Sequence, residues 1–359
     1  MKIFYAVQAT GNGHISRAGE IMPLLEKVGK VDVFLSGSNH SLKNNLPIAY
    51  RSKGVSLFYN ANGGVDLFKT VQSINIKKIW NEARFLPIEK YDLIINDFEC
   101  ITSLACSIKK NPSIHFGHQA SFQSDKTPRP EKKELIGEWV LKNYAKGTTN
   151  IGLHFNSYDK NIFSPIIKST ILNTDPIDDG HITIYLNHFS DEKIITQLQQ
   201  LNHHRFELFS SKTQIPYTIE NIKVLPVNRE LFNQSLITCH GIITGAGFET
   251  PAEALYLGKK LMVIPLKGQY EQKCNAAALE KFNVSIIENM DEEFSSHFEK
   301  WIENSNQLSL SINQNTEEII EVLLSLASNP MKDDIIGEDF SINDSILNGS
   351  SWMNLREAN

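Results

Sequence analysis

Residues 241–276 limit what this chain can fold into more than any other stretch of the sequence. An apolar run ends in the turn Thr244-Gly245-Ala246-Gly247, which only small residues allow. A helix, a second apolar run, a polar loop and another helix are expected to follow. The first helix is predicted at 251–257, the second apolar run at 261–264, the polar loop at 267–272 and the second helix from about 275. In open α/β sheets, ligands bind where strands of such a unit end.

The helix after the turn has recognisable start and stop signals. Thr250 is expected to cap it, Pro251 suits its first position, and Glu253 would complete a capping box. Gly258 is suited to end it. Backbone N–H groups at the glycine turn and the positive helix end would together suit a phosphate.

The order of these residues resembles the donor site of GT-B glycosyltransferases, notably the family of the UDP-GlcNAc transferase of peptidoglycan lipid synthesis and UDP-glycosyltransferases. About 35 residues carry the resemblance. It implies that the turn holds a diphosphate, that a helix Glu binds ribose, and that an acidic residue with Gln holds the sugar. The implied donor residues are Gly245, Ala246, Gly247, Glu253, Glu271 and Gln272. The capping box alone would also explain Glu253.

Length and pattern predict the domain organisation. A chain of 359 residues with 41% hydrophobic and 21% charged residues suits two globular domains. The resemblance implies an α/β fold, GT-B, with two doubly wound Rossmann-like domains and a cleft between them. We expect an N-terminal acceptor-binding domain at 1–160, a linker at 161–180, a C-terminal donor-binding domain at 181–330 and a tail at 331–359.

Charge is distributed unevenly over the chain. Residues 1–155 hold 20 Lys and Arg against 13 Asp and Glu, which gives +7, and the remainder carries −13. The first half therefore suits an anionic acceptor or a membrane surface, although mere surface composition explains the asymmetry equally well. No nucleic-acid partner is expected. The spacing of the four cysteines indicates no disulfide or metal site, and the sequence has no signal-like or membrane-spanning run. Both observations favour the cytoplasm. Peripheral contact at the inner membrane face is a further expectation.

The first strand runs into a glycine-rich loop with one histidine. Gly11-Asn12-Gly13 begins a dinucleotide fingerprint, but Ser16 stands at its third glycine position, and no acidic residue ends the second strand. The resemblance explains the loop better and implies acceptor contact by Gly11, Asn12 and Gly13. His14 could take a proton from an acceptor hydroxyl, contact a ligand, or serve structure alone.

Two later strand ends supply further candidates in the first half. Asp97 is expected either to orient His14 or to cap the helix that follows it. His118 and Gln119 are acceptor candidates, and His118 is also an alternative base.

The second half contributes two more donor candidates. Ser190 could contact the donor phosphates or cap a helix, and Val227 lies where relatives bind the nucleobase through backbone groups.

The sequence therefore predicts an inverting, metal-independent glycosyltransferase. It contains no zinc spacing, Walker loop or GxSxG motif, and we expect neither a metal site nor a cofactor beyond a nucleotide sugar, most simply a UDP-sugar. The acceptor is expected to be a lipid or a cell-envelope glycan. Two alternatives stay open: a nucleotide-sugar epimerase of the same fold, and a nucleotide-sugar-binding protein without catalysis.

Overall fold

The computed structural model describes residues 1–37, 46–55 and 75–328. The predicted tail at 331–359 lies outside the described residues. Of the described helices, none is long and apolar enough to cross a membrane.

The first sheet has seven strands, all parallel, in the order β3-β2-β1-β4-β5-β6-β7. The chain winds outwards in both directions from β1 and β4, which makes this pair the switch point of a doubly wound sheet. The strands are β1 (Lys2–Gln8), β2 (Lys30–Ser36), β3 (Ile48–Ser52), β4 (Leu93–Asp97), β5 (Ile114–Gly117), β6 (Thr149–Leu153) and β7 (Ile162–Phe163).

The second sheet repeats this topology in the order β10-β11-β9-β8-β12-β13-β14. Only the β10–β11 edge pair is antiparallel, and the switch point lies between β8 and β12. The strands are β8 (His181–Tyr185), β9 (Arg205–Ser210), β10 (Tyr217–Ile219), β11 (Ile222–Pro226), β12 (Gly241–Thr244), β13 (Lys260–Val263) and β14 (Ser285–Ile286).

Helices connect most of the successive parallel strands, which is the usual crossover in a parallel sheet. The described helices are α1 (Asn12–Val28), α2 (Ile76–Phe85), α3 (Cys100–Lys109), α4 (Leu135–Asn143), α5 (Ser169–Leu172), α6 (Asp191–Leu198), α7 (Arg229–Thr238), α8 (Glu249–Tyr256), α9 (Tyr270–Leu279), α10 (Phe294–Glu303) and α11 (Thr316–Ser328).

Strand β1 shows why helices cover both faces of the first sheet. Ile3, Tyr5 and Val7 are buried in one apolar cluster, while Phe4 and Ala6, pointing the other way, are buried in another. Alternate residues of a strand face opposite sides, so a strand that is apolar throughout needs cover on both. Full burial of each large side chain contributes about 1.5–3 kcal/mol.

The predicted α/β class is confirmed, and one local prediction, the capping box, is wrong. Strand β7 belongs to the first sheet but lies inside the range expected as the linker. Helix α8 begins at Glu249, and no side chain caps it, so the capping box of Thr250 and Glu253 does not form. The division into domains stays a prediction.

Candidate active site

The loop after β1 brings small residues and one imidazole to the switch point of the first sheet. Gly11 precedes helix α1, and no side chain caps its first turn. A Cβ on Gly13 would collide with the carboxylate of Glu249, which comes from the other sheet. Glycine at position 13 therefore lets the second half approach this loop closely.

His14 lies against Asp97, the last residue of β4. Its Nδ1 is 2.7 Å from Asp97 Oδ1, and the carboxylate is fully buried. Strands β1 and β4 are neighbours, with Val7 paired to Asp97, so the loop after β1 and the end of β4 must meet. The contact leaves Nε2 of His14 as the nitrogen that can accept a proton.

Arg17 holds the same carboxylate with two hydrogen bonds. Its Nε donates to Asp97 Oδ2 at 3.0 Å and its Nη2 to Oδ1 at 2.7 Å, and Arg17 is only 3% exposed. Nη2 also lies 2.9 Å from His14 Nδ1. Burial alone would raise the pKa of Asp97, but Arg17 and His14 hold it well below its usual value. Asp97 is therefore ionised and accepts hydrogen bonds from both neighbours.

The end of β5 leaves room for this cluster. Gly117 has a φ of +113°, and a Cβ there would lie 3.0 Å from both Arg17 Nη2 and Asp97 Oδ1. Both the backbone conformation and the space favour glycine.

The alternative role of Asp97 as a helix cap is wrong. Glu99 caps helix α3 by accepting from the backbone N–H groups of Ile101 and Thr102 at 2.9 and 2.6 Å. Asp97 faces the cluster with His14 instead.

At the second sheet, Gln272 ties the small-residue turn to the loop after β13. Its Oε1 accepts from the backbone N–H groups of Ala246 at 3.1 Å and Leu266 at 2.8 Å, and Asn275 Nδ2 donates to the Ala246 carbonyl at 3.0 Å. The Ala246 amide expected to meet a phosphate is thus engaged, whereas a Cβ on Gly247 would meet open space.

Glu253 has a buried partner that the sequence did not reveal. Its Oε2 accepts from Lys168 Nζ at 2.9 Å, and the glutamate is 1% exposed. Lys168 also donates to Asn233 Oδ1 at 3.1 Å. Burial raises the pKa of Glu253, and the Lys168 charge opposes that rise.

Hydrogen bonds join the carboxyl ends of the two sheets directly. Gln119 Nε2 donates to Glu271 Oε1 at 3.0 Å, and His118 Nε2 lies 2.7 Å from Asn275 Oδ1. Asn12 Nδ2 donates to Tyr185 Oη at 3.4 Å. The acceptor and donor candidates therefore meet across one junction.

The surroundings of His118 count against its alternative role as the base. It is 1% exposed, stacks on Phe248 with ring centroids 4.0 Å apart, and has Leu153 O 3.0 Å from its Nδ1. Burial lowers its pKa. Both ring nitrogens are occupied, so His118 has no free nitrogen for a substrate proton.

The remaining two donor candidates have structural partners. Ser190 caps helix α6 by accepting from Lys193 N at 3.3 Å, and the Val227 N–H donates to Ser210 O at 3.3 Å. Nothing in these contacts assigns either residue a ligand.

Three site residues had no assigned role in the sequence. Arg17 and Glu249 form an ion pair between α1 and the start of α8. His188 Cε1 would lie 3.8 Å from a Cβ on Gly245, its Nε2 is buried without a hydrogen-bond partner among the described residues, and burial lowers its pKa to about 4. Its place in the loop after β8, at the switch point, is the signal that could have singled it out.

The described residues contain no group of three His, Cys, Asp or Glu arranged to hold a metal ion. The four cysteines are free thiols.

Comparisons with known proteins match nearly the whole chain. A family model described as glycosyl transferase family 1 matches residues 1–303. Phytolacca americana UGT2, complexed with UDP-2fluoro-glucose and pterostilbene, is 13% identical with a TM-score of 0.55, covering 93% of this chain and 95% of that chain. Medicago truncatula UGT71G1, complexed with UDP-glucose, is 11% identical with a TM-score of 0.52, covering 92% and 95%. At these identities the similarity establishes the fold alone. A comparison with curated protein sequences found no match.

Proposed function

The chain belongs to glycosyl transferase family 1 and has the GT-B fold that its sequence predicts. We propose that it is an inverting, metal-independent enzyme that moves a sugar from a UDP-sugar to an acceptor hydroxyl. The observation that carries the proposal is the contact of His14 Nδ1 with Asp97 Oδ1 at 2.7 Å, at the switch point of the first sheet. Hydrogen bonds join that edge to Tyr185 at the end of β8 and to Glu271 and Asn275 of α9.

His14 acts as the general base in this proposal. An ionised Asp97 accepts from Nδ1–H, which fixes the tautomer with Nε2 unprotonated. Nε2 removes the acceptor proton as the acceptor oxygen forms its bond to the anomeric carbon. The bond from that carbon to the diphosphate oxygen breaks on the opposite face, and the diphosphate leaves with the electron pair. One displacement of this kind inverts the anomeric configuration.

The donor lies on the second sheet. The turn Gly245–Gly247 and the start of α8 receive the diphosphate, for which helix N-termini are favourable sites. Glu271 and Gln272 hold the sugar, which requires Gln272 to release the Ala246 amide when the donor binds. Glu253 keeps Lys168 as its counter-ion at Oε2 and offers Oε1 to ribose. Val227 remains the proposed contact of the base and Ser190 that of the phosphates, and no further cofactor is proposed.

UDP as the nucleotide is proposed from likeness to the structures above. Both Phytolacca americana UGT2 and Medicago truncatula UGT71G1 were solved with UDP-sugar ligands. The proposal that this chain also binds UDP rests on the shared fold and on its own candidate donor residues.

The acceptor is proposed to be a lipid or a cell-envelope glycan, met at the inner membrane face from the cytoplasm. Helix α4 exposes Leu135, Ile136 and Trp139 by 86%, 77% and 63%. The same helix contacts α9 through Glu138, whose Oε1 accepts from Tyr270 Oη at 2.8 Å. An apolar surface thus adjoins the helix that carries the sugar candidates, in the half of the chain with net positive charge.

The test is sugar transfer by the wild type and by His14→Ala. UDP-, dTDP- and GDP-sugars are first screened by thermal shift, and turnover is then measured with the donor that binds. We expect His14→Ala to lose about 10²- to 10⁴-fold in kcat, the usual contribution of a general base, with little change in donor Kd. Full turnover by His14→Ala would contradict the base assignment. His118→Gln is the matched control and is expected to retain more turnover than His14→Ala.

A further inference from the structure

Arg17 joins two carboxylates that come from different sheets. Its Nε and Nη2 bind Asp97, at the end of β4, and its Nη1 binds Glu249, the first residue of α8. Arg17 is almost completely buried, whereas the Glu249 side chain is 21% exposed. One partner of this guanidinium is therefore fixed in the interior, and the other lies at an accessible edge.

The Glu249 carboxylate occupies a position that suits any anion. It lies at the first turn of α8, directly after the glycine turn, where unpaired N–H groups and the helix dipole favour negative charge. The carboxylate also rests over Gly13, where even a Cβ would collide with it. A diphosphate bound at the start of α8 needs the same surroundings.

The charges of the cluster disfavour binding of a diphosphate to Arg17 while Glu249 is still bound there. One guanidinium already faces two carboxylates, so Arg17, Asp97 and Glu249 together carry a net charge of −1. Burial alone would lower the pKa of Arg17, but Asp97 and Glu249 raise it above its usual value, so the cation persists. A diphosphate beside an unmoved Glu249 would meet like charge.

We propose that Arg17 is a ligand of the donor diphosphate and that Glu249 occupies its place while the donor is absent. This inference rests on the proposed function. When the donor binds, the partly exposed carboxylate leaves Arg17 Nη1 and a phosphate oxygen takes over that hydrogen bond. Nε and Nη2 stay hydrogen-bonded to Asp97 throughout, so His14 retains its orientation. The donor phosphate is bound by Nη1 of the same guanidinium. Arg17 thus connects the proposed base to the donor site.

The experiment compares ligand affinities of the wild type, Glu249→Gln and Glu249→Ala by calorimetry. The probes are UDP, inorganic pyrophosphate and uridine. Removal of the competing charge is expected to tighten UDP and pyrophosphate binding roughly two- to fivefold, the range for one charge at a helix end, and to leave uridine binding unchanged. Thermal unfolding checks that both variants fold.

Glu20→Gln is the matched control. Glu20 Oε1 also binds an arginine of the other half, Arg229 Nη2 at 2.7 Å, but away from the glycine turn. The Glu20→Gln variant should bind UDP with the same Kd as the wild type. Equal tightening in Glu20→Gln would mean that loosening of the two halves causes the effect, and it would overturn the inference.

Two further outcomes separate this inference from the proposed function. Binding of UDP by all three proteins with equal Kd would overturn the role of Glu249 and leave the donor proposal intact. Lack of UDP and pyrophosphate binding by the wild type and the variants alike would overturn the proposed UDP donor, and the inference with it.

Discussion

At the scale of single residues, one buried carboxylate, Asp97, has three partners, of which Tyr5 donates its Oη–H to Oδ2 at 3.4 Å. Asp97 orients His14 through Oδ1 and neutralises Arg17 through both oxygens. Glu99, two residues later, is equally buried but accepts from the backbone N–H groups that begin α3. The sequence left both roles open for Asp97, because residues at a strand end look alike until the side-chain direction is known. The positive φ of Phe98, 55°, turns the chain between the two carboxylates.

This difference predicts different effects of the two conservative substitutions. Asp97→Asn should lower kcat by about 10²- to 10⁴-fold, because an amide neither fixes the His14 tautomer nor offsets its positive form. It should also destabilise the chain by about 3–5 kcal/mol, the cost of breaking a buried ion pair. Steady-state kinetics well below the unfolding temperature, together with thermal unfolding, measure the two effects.

Glu99→Gln is the control for that prediction. It should keep kcat and lose about 0.5–2 kcal/mol of stability, as expected for a weakened helix cap. An equal loss of kcat in both variants would show that damage to the end of β4, and not the contact with His14, explains the result.

At the scale of elements, helix α8 shows how far local signals reach. Thr250, Pro251 and Glu253 predicted a start at Pro251, but the helix begins at Glu249. The first N–H groups of a helix lack intrahelical acceptors, so proline is tolerated at several positions of the first turn. Glu253 then lies further inside the helix and faces Lys168, 85 residues away in sequence. The existence of the helix was predictable, whereas its start depended on tertiary contacts.

Helix α4 gives the prediction that belongs to this scale. Replacing Leu135, Ile136 and Trp139 by Ser should lower binding to vesicles that contain anionic lipid by at least about tenfold, because burying even one such side chain contributes about 1.5–3 kcal/mol. Co-sedimentation with zwitterionic vesicles, with and without anionic lipid, measures it.

Ile215→Ser is the control for the vesicle experiment, since Ile215 is 80% exposed but belongs to the second half. Unchanged vesicle binding of the triple variant would argue against the proposed membrane contact. A triple variant that binds vesicles normally but loses activity on a dispersed acceptor would instead assign α4 to the acceptor itself.

At the scale of the whole molecule, burial of imidazoles should make stability depend on pH. Burial lowers the pKa of five histidines from the ordinary value of 6.5, to about 4 for His115 and His188. At His115 and His188 the unfolded chain therefore binds protons below about pH 6.5 that the folded chain binds only near pH 4, so the free energy of unfolding falls as pH drops through that window. The five are His115, His118, His154, His181 and His188.

His115→Gln tests this pH dependence. Each such histidine adds up to about 1.4 kcal/mol per pH unit to the slope of stability against pH. Denaturant unfolding at several pH values between 4 and 6.5 should give a shallower slope for the variant than for the wild type, whatever the change in absolute stability. Parallel slopes would contradict the buried, neutral state of His115.

By itself the sequence predicted strands, turns and helices from hydrophobic period, small-residue turns and strand-end polarity, which are local properties, and its resemblance to GT-B glycosyltransferases implied the two doubly wound domains. It also singled out His14, Asp97 and the turn Gly245–Gly247 as candidates. Only the tertiary structure decided which charges share a site. Arg17 and Glu249 are 232 residues apart in sequence, and Lys168 and Glu253 are 85 apart. No local pattern encodes such pairs, since they follow from how two independently wound sheets turn their carboxyl ends towards each other.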